Sequence, residues 1–309
     1  MKPLSVGNVV SAGLRIYRDN FKKYFKLAFI GYLWFYIPAF IVGIAIGFLG
    51  VTSIQGSSLT GLYTLLIILA TAAFLYGAAK YFTYHALIAR LAYSEIIEKP
   101  ESIKEANRHV KGKMWSFLIA ALLVFLRFIL VYIGGAILIA ISIGALTALL
   151  GFGLGSILGD TGAAIGAIIS VLLSIALFIG FISYIIRLFA SFSATELLLS
   201  TQNNLRASQA LGKSQELTKG YLKNLIVIYV IASLVSIPIW GLVFILQIIP
   251  QLLQNSELAS FSLALSIFQL VFNALTTALI IPFWQSIKAV IYYDLKVRRE
   301  GMGLDLNKS

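Results

Sequence analysis

Residues 115–150 read WSFLIAALLVFLRFILVYIGGAILIAISIGALTALL, thirty-six positions with a single charge, Arg127. About 18 or more apolar residues suffice for a helix to cross the hydrocarbon core of a bilayer, which is about 30 Å thick, and only a helix or a closed barrel satisfies its backbone polar groups there. As one straight helix the run would be about 54 Å long, so it must tilt, bend or emerge, and the pair Gly134-Gly135 is the expected bend. Comparable runs occupy residues 24–49, 62–91, 163–199, 224–249 and 260–293. The reading is an all-α polytopic membrane protein with six transmembrane helices arranged as three hairpins. A third run broken into two spans, or carrying a re-entrant segment, is the alternative. Pro38, Pro238 and Pro282 mark kinks that neighbouring helices can tolerate.

Composition agrees, since 60% of the 309 residues are hydrophobic and 12% charged, against about 45–50% and about 25% in soluble domains. One membrane domain, residues 1–309, is expected, with no appended globular module. The first apolar run follows a long charged helix and is too long for a signal peptide, so it is read as a retained span. Cysteine is absent, which excludes disulfides, thiolate metal sites and cysteine nucleophiles.

The net charge of +12 follows membrane sidedness and does not point to nucleic acid. Of the 24 Lys and Arg residues, 22 fall in residues 1–26, 90–113, 187–223 and 288–309, while the connections 51–61, 151–162 and 250–260 contain none. The only charges in those connections are Asp160 and Glu257. Cytoplasmic loops accumulate Lys and Arg, so both termini are expected in the cytoplasm. Three repeat-like units of about 1–98, 99–199 and 200–309 emerge, each an amphipathic helix followed by two spans. Ser11, Leu14, Lys22, Tyr24 and Lys26 recur at a constant offset as Ser208, Leu211, Lys219, Tyr221 and Lys223.

Each hairpin is preceded by a basic amphipathic helix. In the first, Val6, Val9, Val10, Gly13, Leu14 and Tyr17 share one face, and Arg15, Arg18, Lys22, Lys23 and Lys26 the other. The second opens after Pro100 with Ser102 and Glu105 spaced as a capping box; it sets Ile103, Ala106, Val110 and Met114 against Lys104, Arg108, Lys111 and Lys113. The third sets Ala207, Ala210, Leu211 and Ser214 against Arg206, Lys213, Lys219 and Lys223. Such helices are expected to lie in the interface, with apolar sides at the acyl boundary and cations toward anionic head groups. Each cation near that surface is worth about 1 kcal/mol. The plainer reading is that they only anchor and orient the hairpins.

Arg127 is the one charge placed deep, about 18 Å along its helix if the span starts at Trp115. It is a candidate for handling a solute or lipid, unless the span begins near Phe128 and the side chain snorkels. Lys80, Arg187 and Lys288 come late in their spans and read as snorkelling anchors, with Glu196 and Asp294 close enough in sequence to pair with cations. The two histidines, His85 and His109, have no carboxylate at metal-ligand spacing, so neither a metal site nor a cofactor is expected. No G-x-S-x-G or P-loop motif occurs, and the glycines of Gly151, Gly153 and Gly155 follow no strand, so they are not a nucleotide site. The spaced pairs Gly43 and Gly47, Gly155 and Gly159, and Gly162 and Gly166 would let helices approach closely, within the chain or between copies.

Three stretches, LSVGNVVSAGLRIYRDNFKKYFKLAFI, ALGKSQELTKGYLKNLI and IYYDLKVRREGMGLDL, together resemble the glycerophosphoryl diester phosphodiesterase membrane domain family of bacteria. That resemblance implies a multi-helix unit of the bacterial cytoplasmic membrane, or of an internal membrane in a photosynthetic host. It implies no hydrolase activity, because the phosphodiesterase barrel that follows this domain in some members has no counterpart here. The expected function is a non-enzymatic, lipid-interacting scaffold or assembly factor with a basic cytoplasmic face. Its partners would be anionic lipids, another membrane protein or further copies of itself. A transporter or channel using Arg127 is the alternative.

Overall fold

The computed structural model describes residues 4–54, 60–253 and 262–300, all of whose regular secondary structure is helical. Among the described residues ten α-helices follow one another: α1 (Val6–Asp19), α2 (Phe21–Ile54), α3 (Thr60–Ile96), α4 (Ile103–Lys111), α5 (Met114–Leu146), α6 (Gly153–Ser191), α7 (Thr195–Thr201), α8 (Ala207–Thr218), α9 (Leu222–Leu253) and α10 (Ser262–Glu300). A π-helical segment, Thr147–Phe152, joins α5 to α6. Among the described residues five stretches are long and apolar enough to cross a membrane: Phe21–Gly47, Thr64–Ile96, Met114–Thr201, Leu222–Ile248 and Ile267–Arg299. The chain is a membrane protein by this measure. Most of the connections 51–61 and 250–260 lie outside the described residues.

Local chemistry explains where the short helices start. The Ser5 side chain accepts from the Asn8 amide at 3.3 Å and caps α1. The capping box expected at α4 is formed, with Ser102 Oγ accepting from the Glu105 amide at 3.2 Å and Glu105 Oε2 accepting from the Ser102 amide at 2.9 Å. Between α3 and α4 the chain turns through Glu98 at φ 56°, a left-handed conformation that non-glycine residues seldom adopt.

Two compact units result, one of Met1–Ala121 with Ser193–Ser309 and one of Leu122–Phe192. Neither boundary coincides with those of the repeat-like units near residues 98 and 199. The register of the repeat also drifts, because the break after the first basic helix falls at Asn20 and the one after the third at Lys219 and Gly220, which is not the offset that relates the matched residues.

In the first unit the core gathers where the basic helices meet the spans. Tyr24, Leu27 and Ala28 of α2, Leu87 and Leu91 of α3, Leu225 and Ile228 of α9, and Ile287 and Tyr292 of α10 are buried there. Farther along the same helices Phe40, Ile41, Leu65, Ile68, Val230 and Trp240 stay exposed, as side chains do when they meet lipid. Association among apolar surroundings gains little from hydrophobic transfer, so it relies on close approach. A Cβ on Gly77 would stand 2.0 Å from the Trp34 carbonyl oxygen, and one on Gly31 would stand 2.9 Å from Tyr84 Cβ. These two glycines seat α3 against α2.

The second unit is one antiparallel pair. Helix α5 runs unbroken through Gly134-Gly135, and the α-helical pattern gives way only at Thr147–Phe152. The reversal comes at Gly159, at φ 64° and ψ −149°, a conformation open to glycine almost alone. Residues expected in an outer loop therefore extend the two helices toward their tip. On either side of the turn Leu154 faces Gly162, Leu150 faces Gly166, and Ser170 Oγ donates to the Leu146 carbonyl at 3.2 Å. A Cβ on Gly162 or Gly166 would fall 2.1 or 2.0 Å from the opposing carbonyl, so this spaced pair serves packing inside the chain. Gly43 and Gly47 meet nothing within 4 Å.

The basic helices depart most from expectation. Val9, Val10 and Gly13 of α1 are buried, with Ile287 of α10 against Gly13 and Phe283 ring to ring with Tyr17. Ala106 and Val110 of α4, and Ala207, Ala210, Leu211 and Ser214 of α8, are buried as well. Most of the sides expected at the acyl boundary are covered by protein, because an amphipathic face serves either partner equally well. These helices leave outward their charged side together with Leu14 and Ile103.

Candidate functional site

The centre of the basic end is α7, a two-turn helix in which Leu197, Leu199 and Ser200 have no exposed surface. Like any helix it ends in carbonyls without partners in the helix, and two cations meet them. Lys113 Nζ donates to the carbonyls of Leu199 at 2.8 Å and Gln202 at 2.6 Å, and the Arg90 guanidinium donates to that of Ser200. Positive charge at a helix C-terminus is favourable, and more so when partly buried. Arg90 is in turn gripped by both carboxylate oxygens of Glu101, each at 2.7 Å, the fork geometry of a strong arginine pair. Burial first, and Arg90 second, hold the Lys113 ammonium below its ordinary pKa.

Other charges are tied down nearby. Glu196 at the start of α7 pairs with Lys288 of α10 at 3.1 Å. Asp294, whose side chain is 1% exposed, accepts from the Leu4 amide at 2.8 Å and from Arg298 Nε at 2.7 Å. Arg298 also donates to the Leu4 carbonyl and lies over the Tyr221 ring. The pairing expected of Glu196 and Asp294 is thus formed, and it locks the entry to α1 onto α10. Lys288 is an ion-pair member more than a snorkelling anchor, whereas Lys80 Nζ lies 5.8 and 5.5 Å from the ring centres of Trp34 and Tyr76.

Two of the thirteen collar cations are drawn inward. Lys113 caps α7, and Lys23 is half-buried 3.8 Å from Glu95. The others are exposed: Arg15, Arg18, Lys22 and Lys26 around α1; Lys104, Arg108 and Lys111 on α4; Arg206, Lys213, Lys219 and Lys223 around α8. Arg18 lies 3.3 Å from Asp19 and Lys213 reaches Gln202 Oε1 at 3.2 Å, both exposed contacts of small energy. All eleven belong to the first unit, so one folded body carries them.

Arg127 belongs to the second unit and is exposed, with its guanidinium 5.3 Å from the centre of the Phe192 ring. It does not point into a packed interior. Arg187, in the same unit, is exposed too. His85 lies against Tyr81 with ring centres 4.1 Å apart and planes inclined by 54°, and its Nε2 is buried without a hydrogen-bond partner among the described residues. No cluster of three His, Asp or Glu side chains suited to a metal occurs among the described residues.

The α7 hub escapes sequence reasoning because its members are far apart: Arg90 and Ser200 are separated by 110 positions, and Lys288 and Glu196 by 92. The one available signal was Glu196, a carboxylate embedded in an apolar run. No family model, curated protein or solved structure matches the chain.

Proposed function

We propose that the protein is a non-enzymatic integral membrane scaffold whose basic face engages anionic lipid head groups or an acidic partner at the cytoplasmic surface. The carrying observation is that Val9, Val10 and Gly13 of α1, Ala106 and Val110 of α4, and Ala207, Ala210 and Leu211 of α8 are buried, while eleven cations on and beside these helices are exposed. Helices held in this way present charge at a surface already assembled, so little ordering is lost when a partner binds. We place both termini in the cytoplasm and count six crossings, taking the 88-residue stretch Met114–Thr201 as two crossings joined at Gly159. The segregation of Lys and Arg supports this orientation. Kinship with the phosphodiesterase membrane domain family, resting on three short stretches, agrees with a lipid-associated role. Arg127, the motive for a transporter, is exposed on its own unit and lends that alternative no support.

The test is gentle purification of the full chain from its native membrane, followed by mass spectrometry of retained lipids and co-purifying proteins. Anionic lipids or a recurrent acidic partner are expected, and charge reversal at Lys22, Lys26 and Lys111 should remove them while a topology reporter stays unchanged. Protein that emerges with neither would refute the proposal.

A further inference from the structure

Along the second unit α5 and α6 do not close on each other completely. A groove of about 1060 Å³ runs between them, lined by apolar side chains that include Leu130, Leu138, Leu177 and Tyr184, with Gly134 and Gly180 also on its wall. A Cβ built on Gly134 or Gly180 meets nothing within 4 Å, so these glycines widen the groove without seating a neighbour. Gly135, by contrast, is covered by the Phe181 ring.

The ends of this groove differ in charge. Arg127 precedes Leu130, Val131 and Gly134 by three, four and seven positions, and Arg187 follows Tyr184 and Gly180 by three and seven. Residues at those spacings share a helix face. Because α5 and α6 are antiparallel, both arginines extend the groove-lining stripes at the same end, the one away from the Gly159 turn. Neither forms an ion pair among the described residues, although Arg127 is supported from behind by the Phe192 ring. Neither arginine lines the groove itself; each lies beyond its end by about one helical turn on the same face.

We infer that this groove binds one acidic phospholipid, with an acyl chain along Gly134 and Gly180 and the phosphate between Arg127 and Arg187. An arginine fork matches phosphate oxygens in a bidentate manner. With neither arginine in an ion pair among the described residues, both charges are available to a net anionic head. The inference shares with the proposed function only the premise of a lipid-embedded chain, because the groove and the collar lie on different units.

The experiment is native mass spectrometry of the full-length protein, delipidated in mild detergent and titrated with phosphatidylglycerol, phosphatidylcholine or short-chain glycerophosphate. One tightly held phosphatidylglycerol per chain is expected. R127Q/R187Q should weaken its retention at least tenfold, R127K/R187K should restore most of it, and G134L/G180L should reduce it by filling the groove. Unchanged thermal midpoints in detergent verify that each variant is folded. Equal retention of phosphatidylglycerol by R127Q/R187Q and the parent chain would overturn the inference. So would equal binding of phosphatidylcholine, binding of glycerophosphate as tight as that of the lipid, or a dimer that occludes the groove. Charge reversal at Lys22, Lys26 and Lys111 separates the two proposals, since it strips lipid or partner from the basic face and leaves the groove lipid in place.

Discussion

Asp294 shows how a single side chain can carry more structural weight than its sequence position implies. Its carboxylate is almost wholly buried, yet it holds the Leu4 amide and Arg298 together. Removing one member of a buried pair leaves the other without compensation, at about 3–5 kcal/mol. Part of Arg298 reaches solvent, so Asp294→Ala is expected to cost about 3 kcal/mol. A thermal unfolding midpoint lowered by several degrees in detergent, together with faster proteolysis near α1, would verify it. Glu105 supplies a pH-dependent counterpart. Hydrogen bonds from the Ser102 side chain and backbone lower its pKa, so its folded value lies below the unfolded one. The stabilisation is complete above the ordinary carboxylate range and is lost as pH falls through the lowered folded value. The protection factors of the Glu105 and Ala106 amides, which discount the intrinsic pH dependence of exchange, should fall on acidification in the parent chain, and Glu105→Gln should abolish that fall.

Among the elements, α1 depends on one close approach. A Cβ on Gly13 would lie 2.5 Å from Ile287 Cδ1 and 3.2 Å from the Ile287 backbone. Gly13→Leu should therefore destabilise by about 1–3 kcal/mol through overpacking, and trimming Ile287→Ala should recover only part of the loss, because the backbone contact remains. Differential scanning fluorimetry of the two single variants and the double variant decides the matter. The same logic applies to the second unit, where Gly166 sits against the Leu150 backbone. Gly43→Leu, which meets no neighbour, is the matched control and should leave the midpoint within about 0.5 kcal/mol of its original value. These contrasts explain why glycine spacing alone could not tell which pair packs: the motif is identical, and only the partner across the helix differs.

For the whole molecule, orientation is the property with the widest consequences. A reporter inserted at the tip of the α5–α6 pair, beside Asp160, is expected on the outer side, and reporters at either terminus on the cytoplasmic side. A cytoplasmic signal from the tip would remove both the six-crossing count and the reading of the basic face as a cytoplasmic surface. The apolar length between Arg127 and Asp160 exceeds what a bilayer requires, since 32 residues of straight helix extend about 48 Å. Tilt, or emergence of the tip, must absorb the excess.

The long helices were legible in the linear chain because lipid imposes length and composition on every span. The capping box of α4 was legible because its two partners stand three residues apart. Helical periodicity also marked the apolar sides of α1, α4 and α8, but it could not say whether lipid or protein would cover them, since both reward the same pattern. The α7 hub and the Asp294 clasp join residues distant in sequence, and the reversal at Gly159 sets Gly135 against Phe181. Such contacts depend on how helices are brought side by side. Tertiary structure alone decided them, while the chain itself determined that there would be long apolar helices with their cations gathered at one set of ends.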